Sequence, residues 1–149
     1  MSESIIDFGI LSPANPVTRT TTLSISPASS LGYTIAASQN TPLRSESYSI
    51  PNTTCNDGTC NHTTPSLWQN LLTYGFGYRC DNTVGIGCTN DFTTPNTFKP
   101  FADELQSQTP AIIMTSSQTQ PTKGKITYKL NVSSTQQPEH YANRITFIA

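Results

Sequence analysis

Four cysteines are the residues of this 149-residue chain whose type and spacing speak most directly of chemistry. Cys55 and Cys60 enclose Asn56-Asp57-Gly58-Thr59, and Cys80 and Cys88 enclose seven residues that include Gly85 and Gly87. Glycine in each loop lets the chain turn back until the Cα atoms approach the ~5.5–6 Å that a disulfide requires. Sequential pairing, Cys55–Cys60 and Cys80–Cys88, is the expected one of the three connectivities open to four cysteines. The competing reading is a zinc site made from all four thiolates. Such sites usually place tight C-x₂₋₄-C knuckles at both ends, and the second loop is too long for one. Disulfides imply an oxidising, extracellular compartment.

Other chemistry-bearing residues are sparse. Asp57, Asp81 and Asp91 stand in or beside the cysteine loops, where with Asn side chains and loop carbonyls they form weak calcium candidates. Asx-turns account for Asp57 and Asp81 equally well. The two histidines, His62 and His140, lie far apart in polar loops and read as solvated. Gly75-Phe76-Gly77 sits inside an alternating segment with no helix behind it, so it does not read as a phosphate cradle. No nucleophile elbow, zinc-protease or Walker motif occurs, and no catalytic residue and no cofactor are expected. Lys125, Lys129 and Asn143 lie in the last two extended segments, as an isopeptide crosslink would need. Both lysines, however, fall on the outward face, where nothing desolvates the amine. Tyr48, Trp68 and Phe92 are loop aromatics that could stack on sugars. The sequons at Asn52, Asn61 and Asn131 carry little weight in a chain so rich in Asn and Thr.

The elements that hold these residues are strands. Ser and Thr fill 41 positions, whereas Asp, Glu, Lys and Arg fill 17. Thr favours extended backbone, and Ser, Asn, Gly and Pro favour turns. Period-two alternation marks Ile5–Phe8, Val17–Ile25, Tyr33–Ser38, Leu72–Tyr78, Gly124–Val132 and Tyr141–Ile148. The second and third of these are expected to form a hairpin across Pro27 and Gly32. A brief helix or turn is read at Ala102–Leu105, and a buried strand at Ala111–Met114. In Leu72–Tyr78 the aromatic face should point inward, the glycine face should admit a close backbone or Trp68, and the second cysteine loop should cap the strand's end. Ile126, Tyr128, Leu130 and Val132 should point inward, and Ile25, Ile35, Tyr74, Phe76, Tyr128, Leu130, Ile145 and Phe147 should be buried in one core. The whole chain, residues 1–149, reads as a single all-β domain: a two-layer, mainly antiparallel β-sandwich with long irregular loops. A net charge of −1 offers no drive toward nucleic acid or anionic lipid, and no stretch is long enough to insert in a membrane as a helix. Met1-Ser2-Glu3-Ser4 does not read as a secretory leader, so a secreted form is expected to be an excised piece of a longer chain.

Three segments together resemble a known type of protein. They are Ile6-Asp7-Phe8-Gly9-Ile10-Leu11-Ser12-Pro13, Leu72-Thr73-Tyr74-Gly75-Phe76-Gly77-Tyr78, and Ile126–Val132 followed by Tyr141–Ala149. They are similar to secreted surface modules of bacteria and, loosely, to WxL-type cell-wall domains. The W-x-L signatures themselves are absent, since Trp68 is followed by Gln69-Asn70-Leu71. The resemblance implies a non-catalytic, extracellular structural or adhesive module of a bacterial surface protein, whose partner is a protein, cell wall or glycan. The alternative is a carbohydrate-binding module using Tyr48, Trp68 and Phe92.

Overall fold

The computed structural model describes residues 5–26, 31–117 and 119–149. Among the described residues eleven strands run in chain order: β1 Val17–Ile25, β2 Tyr33–Gln39, β3 Leu43–Arg44, β4 Ser49–Ile50, β5 Ser66–Leu67, β6 Gly75–Val84, β7 Thr97–Phe98, β8 Ala102–Asp103, β9 Ala111–Ser116, β10 Thr122–Asn131 and β11 Ile145–Ile148. Short 3₁₀ turns at Asn90–Phe92 and Glu104–Gln106 are the helical elements among the described residues. The fold is all-β, as the composition predicts.

Two sheets share one core. The first has the order β1-β10-β6, antiparallel throughout. In the second, β2 lies between β11 on one edge and β9 and β8 on the other, with β8 parallel to it. Leu23 of β1, Ile35 and Ala37 of β2, Phe76 and Tyr78 of β6, Ile113 and Met114 of β9, and Ile126, Tyr128 and Leu130 of β10 meet in a single buried cluster. Strict alternation on β10 puts those three residues inward, as read from the sequence. A bulge between Ile35 and Ala36 of the β2–β9 ladder lets both Ile113 and Met114 face inward, while Ile112 points to solvent.

Several sequence expectations need correction. β1 and β2 are not a hairpin: β1 pairs over nine residues with β10, and β2 joins the other sheet. The reason is burial, because Ala37, Ser38 and Gln39 are all inaccessible and such a strand needs neighbours on both edges. Pro27, expected at the turn, lies outside the described residues. Among the described residues Ile5–Phe8 has no strand partner, and it forms an arm with no regular secondary structure. The aromatic strand starts at Gly75, not Leu72, which sits exposed in a turn. Tyr74, Ile25, Ile145 and Phe147, expected to be buried, are partly covered. That strand also runs past Cys80 to Val84, so the second cysteine loop folds back beside it rather than capping its end.

Candidate functional site

β6 and β10 present two faces, and the sequence-predicted residues divide between the outer face and its loops. Gly75 and Gly77 leave room there for the chain of the first cysteine loop. A Cβ on Gly75 would lie 2.7 Å from the Thr53 amide nitrogen, and one on Gly77 would lie 3.0 Å from the Lys99 carbonyl oxygen. Thr53 N–H donates to the Phe76 carbonyl, and Phe76 N–H to the Pro51 carbonyl, so the loop is hydrogen-bonded onto the strand. The expected close approach of backbone to the glycine face is therefore present.

Both cysteine pairs are joined sequentially, Cys55–Cys60 and Cys80–Cys88, each with Cα atoms 5.6 Å apart. Cys55 and Cys60 form a satellite core with Trp68 and Phe98. The Trp68 ring meets Phe98 edge-on at 5.7 Å, and its Nε1–H donates to the Thr73 carbonyl. Lys129 Nζ lies 4.7 Å from the Trp68 ring centroid and donates to the Trp68 carbonyl. Lys129 was expected to be solvated. Instead Trp68 half-buries it, and desolvation pulls its pKa below the ordinary lysine value. Lys125 is exposed, and the Asn143 amide donates to Gln39 Oε1, while Lys129 lies on Trp68.

The sugar-platform reading loses two of its three rings. Trp68 is 0% exposed and Phe92 4% exposed, whereas Tyr48 is 47% exposed. The calcium candidates do not converge either. Ser66 Oγ–H and Thr59 N–H donate to Asp57, and these bonds hold its carboxyl below the usual range. Asp81 accepts a bidentate pair from Arg79, and Asp91 takes an ion pair from the buried Lys99 together with the Thr89 hydroxyl. Each carboxylate thus serves a loop. Of the histidines, His140 is exposed, but His62 is half-buried with a shielded Nδ1 that has no hydrogen-bond partner.

On the inner face, beyond the aromatic core, β6 and β10 form the floor of an apolar groove of about 950 Å³. Phe76, Tyr128, Leu130 and Val132 line the floor, the arm supplies Ile6, Phe8 and Leu11, and Leu43, Ile145 and Phe147 line the groove from the second sheet's side. Asp7, Glu139, His140 and Arg144 give it charged edges. Arg19 of β1 holds the arm by donating through Nε to the Asp7 carbonyl at 2.8 Å and through Nη2 to that of Phe8 at 3.3 Å. Phe8 meets Phe76 edge-on with centroids 6.0 Å apart. Sequence reasoning missed this groove, because it read Ile6 and Phe8 as a paired first strand and expected Ile145 and Phe147, which do lie on the paired strand β11, to be fully buried. The arm's alternation was the available signal, and it was read as ladder pairing. Comparison with family models, with characterised proteins and with solved structures returns no match for this chain. Among the described residues, no helix is long and apolar enough to cross a membrane.

Proposed function

We propose that this chain is a non-catalytic, extracellular module of a bacterial surface protein that adheres through the apolar groove between its arm and its C-terminal strand. The observation that carries the reading is a division of labour. The carboxylates and the buried rings are engaged in local structure, while a large concave apolar surface stays open to a partner. Two disulfides support an oxidising location. Apolar grooves of this size with a few polar groups at the edge are typical of binding sites. The expected ligand is extended polypeptide: side chains of alternate residues would fill the groove, and the free edge of β11 would offer main-chain hydrogen bonds.

Beads coated with the disulfide-intact protein test this reading. They are expected to bind bacterial envelopes that retain their surface proteins, and Phe147→Asp should abolish the binding. A panel of soluble oligosaccharides should give none. Saturable oligosaccharide binding untouched by Phe147→Asp would sink the reading.

A further inference from the structure

We infer that the groove's partner is a second copy of this chain, and that copies join by exchanging their N-terminal arms, residues 5–11. This rests on the adhesive reading above and names the occupant of the same groove. Three observations lead to it.

The first is how the arm is held. Ile6, Phe8 and Leu11 pack against the core, yet no backbone–backbone hydrogen bond reaches any described residue of the arm. Its tethers are the Arg19 guanidinium on two carbonyls and side-chain packing, while the exposed Gly9 N–H donates to the Asp7 side chain within the arm. The arm is thus held within one copy by side-chain contacts and not by main-chain pairing, and the arm of another copy can make the same contacts.

The second is that the fit within one copy is poor. Ile10 is 97% exposed and Ile5 82% exposed, while the groove beside them stays open. Apolar side chains stand in water next to apolar space, which packed interiors avoid. Among the described residues β11 ends its sheet, so it presents an edge with no strand beside it. An arm arriving from another copy is not bound to the angle at which this one enters, and can lie along such an edge with main-chain pairing.

The third is the hinge. The chain reverses through a bridge between Ser12 and Asn15, with Pro13 at the turn and Pro16 just beyond it. Ala14 sits within it at φ 54°, left-handed backbone that a residue with a Cβ rarely adopts. Straightening the hinge releases that strain, and strained short hinges favour exchange of the element they carry. A formal net charge of −1 leaves little repulsion between copies.

The test uses the full chain in two isotopic forms. The ¹⁴N form carries photoreactive p-benzoyl-phenylalanine in place of Phe8; the ¹⁵N form is unmodified. After mixing, concentration and illumination, peptides joining a ¹⁴N arm to a ¹⁵N segment of the groove floor, around Phe76 or Tyr128, are expected. Ala14→Gly, which relaxes the hinge, should lower that fraction severalfold. Sedimentation of the unmodified chain should show association that Phe8→Asp removes while leaving the β-sheet circular dichroism intact. Crosslinks confined to one isotopic pool, or association indifferent to a folded Phe8→Asp, would overturn the exchange. If the exchange fails while coated beads still bind envelopes, only the occupant is wrong. If the beads also fail to bind, the adhesive reading falls with it.

Discussion

The two faces of the β6–β10 pair are covered in opposite ways. On the outer face, Lys129 and Gly77 lie under a loop fixed by a disulfide, backbone hydrogen bonds and the fully buried Trp68. On the inner face, Leu130 and Phe76 pair in the same register, yet beyond the core they meet an arm secured by two bonds from Arg19 and by side-chain packing. Neither cover is regular sheet. The difference lies in the chemistry available to each. The cysteine loop is polar and irregular, and a short closed ring limits its freedom in the unfolded chain. The arm is largely apolar, and it is held by side-chain packing and two bonds from Arg19 and not by main-chain pairing. The rigid cover reads as structure and the exchangeable one as function.

Breaking the rigid cover should have the largest effects. Trp68→Ala removes the largest fully buried side chain of the molecule. It should cost about 3–5 kcal/mol in urea unfolding, the range for buried aromatic truncations. A loss below about 1 kcal/mol, outside that range, would mean that the satellite core is dispensable and the two covers alike. Next comes removal of the staple itself. Cys55→Ser with Cys60→Ser should cost about 2–3 kcal/mol through unfolded-state entropy, and hydrogen exchange should rise first in residues 51–65. Deprotection that begins instead in β11, on the groove side, would erase the contrast.

How much of this the sequence carried depends on how local the cause is. The all-β fold and both disulfides were legible, because Thr content, alternation and short glycine-bearing cysteine loops act over a few residues. The inward face of β10 was legible for the same reason. The β1–β10 pairing was not, since it joins residues more than 90 positions apart, as in Val17 with Leu130. Nor was the burial of Trp68 and Phe92, which depends on where a remote loop lands. Lys99 illustrates the limit best: a lysine at 2% exposure is contrary to composition rules, and its ion pair with Asp91 is set by tertiary placement. The groove was hidden because an alternating segment looks the same whether or not a partner strand accompanies it.

Loosening the exchangeable cover should cost less. Phe8 is half-buried, so Phe8→Ala should lower stability by about 1.5–2 kcal/mol, roughly half the value for a fully buried ring. The satellite core should not register the change, and Trp68 fluorescence in the folded state should stay as in the wild type. A shift in Trp68 emission would show that the two faces are coupled through the sheet, against the separation drawn here.

The smallest effect at neutral pH, and the most diagnostic at high pH, belongs to Tyr78, which lies in the core between the two covers. Its hydroxyl is buried without a hydrogen-bond partner, and desolvation, with the negative charge of Asp91 behind it, pushes its pKa far above the ordinary tyrosine value. Burial raises Tyr128 as well, partly offset by the Thr21 hydroxyl. In the unfolded chain both phenols ionise near pH ~10, while the folded chain keeps their protons. The native state then binds more protons, so stability falls as pH rises above that point, by about 1.4 kcal/mol per pH unit for each phenol. Lys129 acts oppositely: burial lowers its pKa, so between that value and its unfolded one the unfolded chain binds more protons and stability rises with pH. Tyr78→Phe removes one of the two falling contributions. At pH 7 it should be neutral or stabilising by about 1 kcal/mol, because an unsatisfied buried hydroxyl is lost with little change of shape. Above pH ~10 the mutant's stability should decline less steeply than that of the wild type. Urea midpoints measured across that range decide the matter. Identical slopes would place the Tyr78 hydroxyl in contact with solvent, and the core would then be open where it is drawn closed.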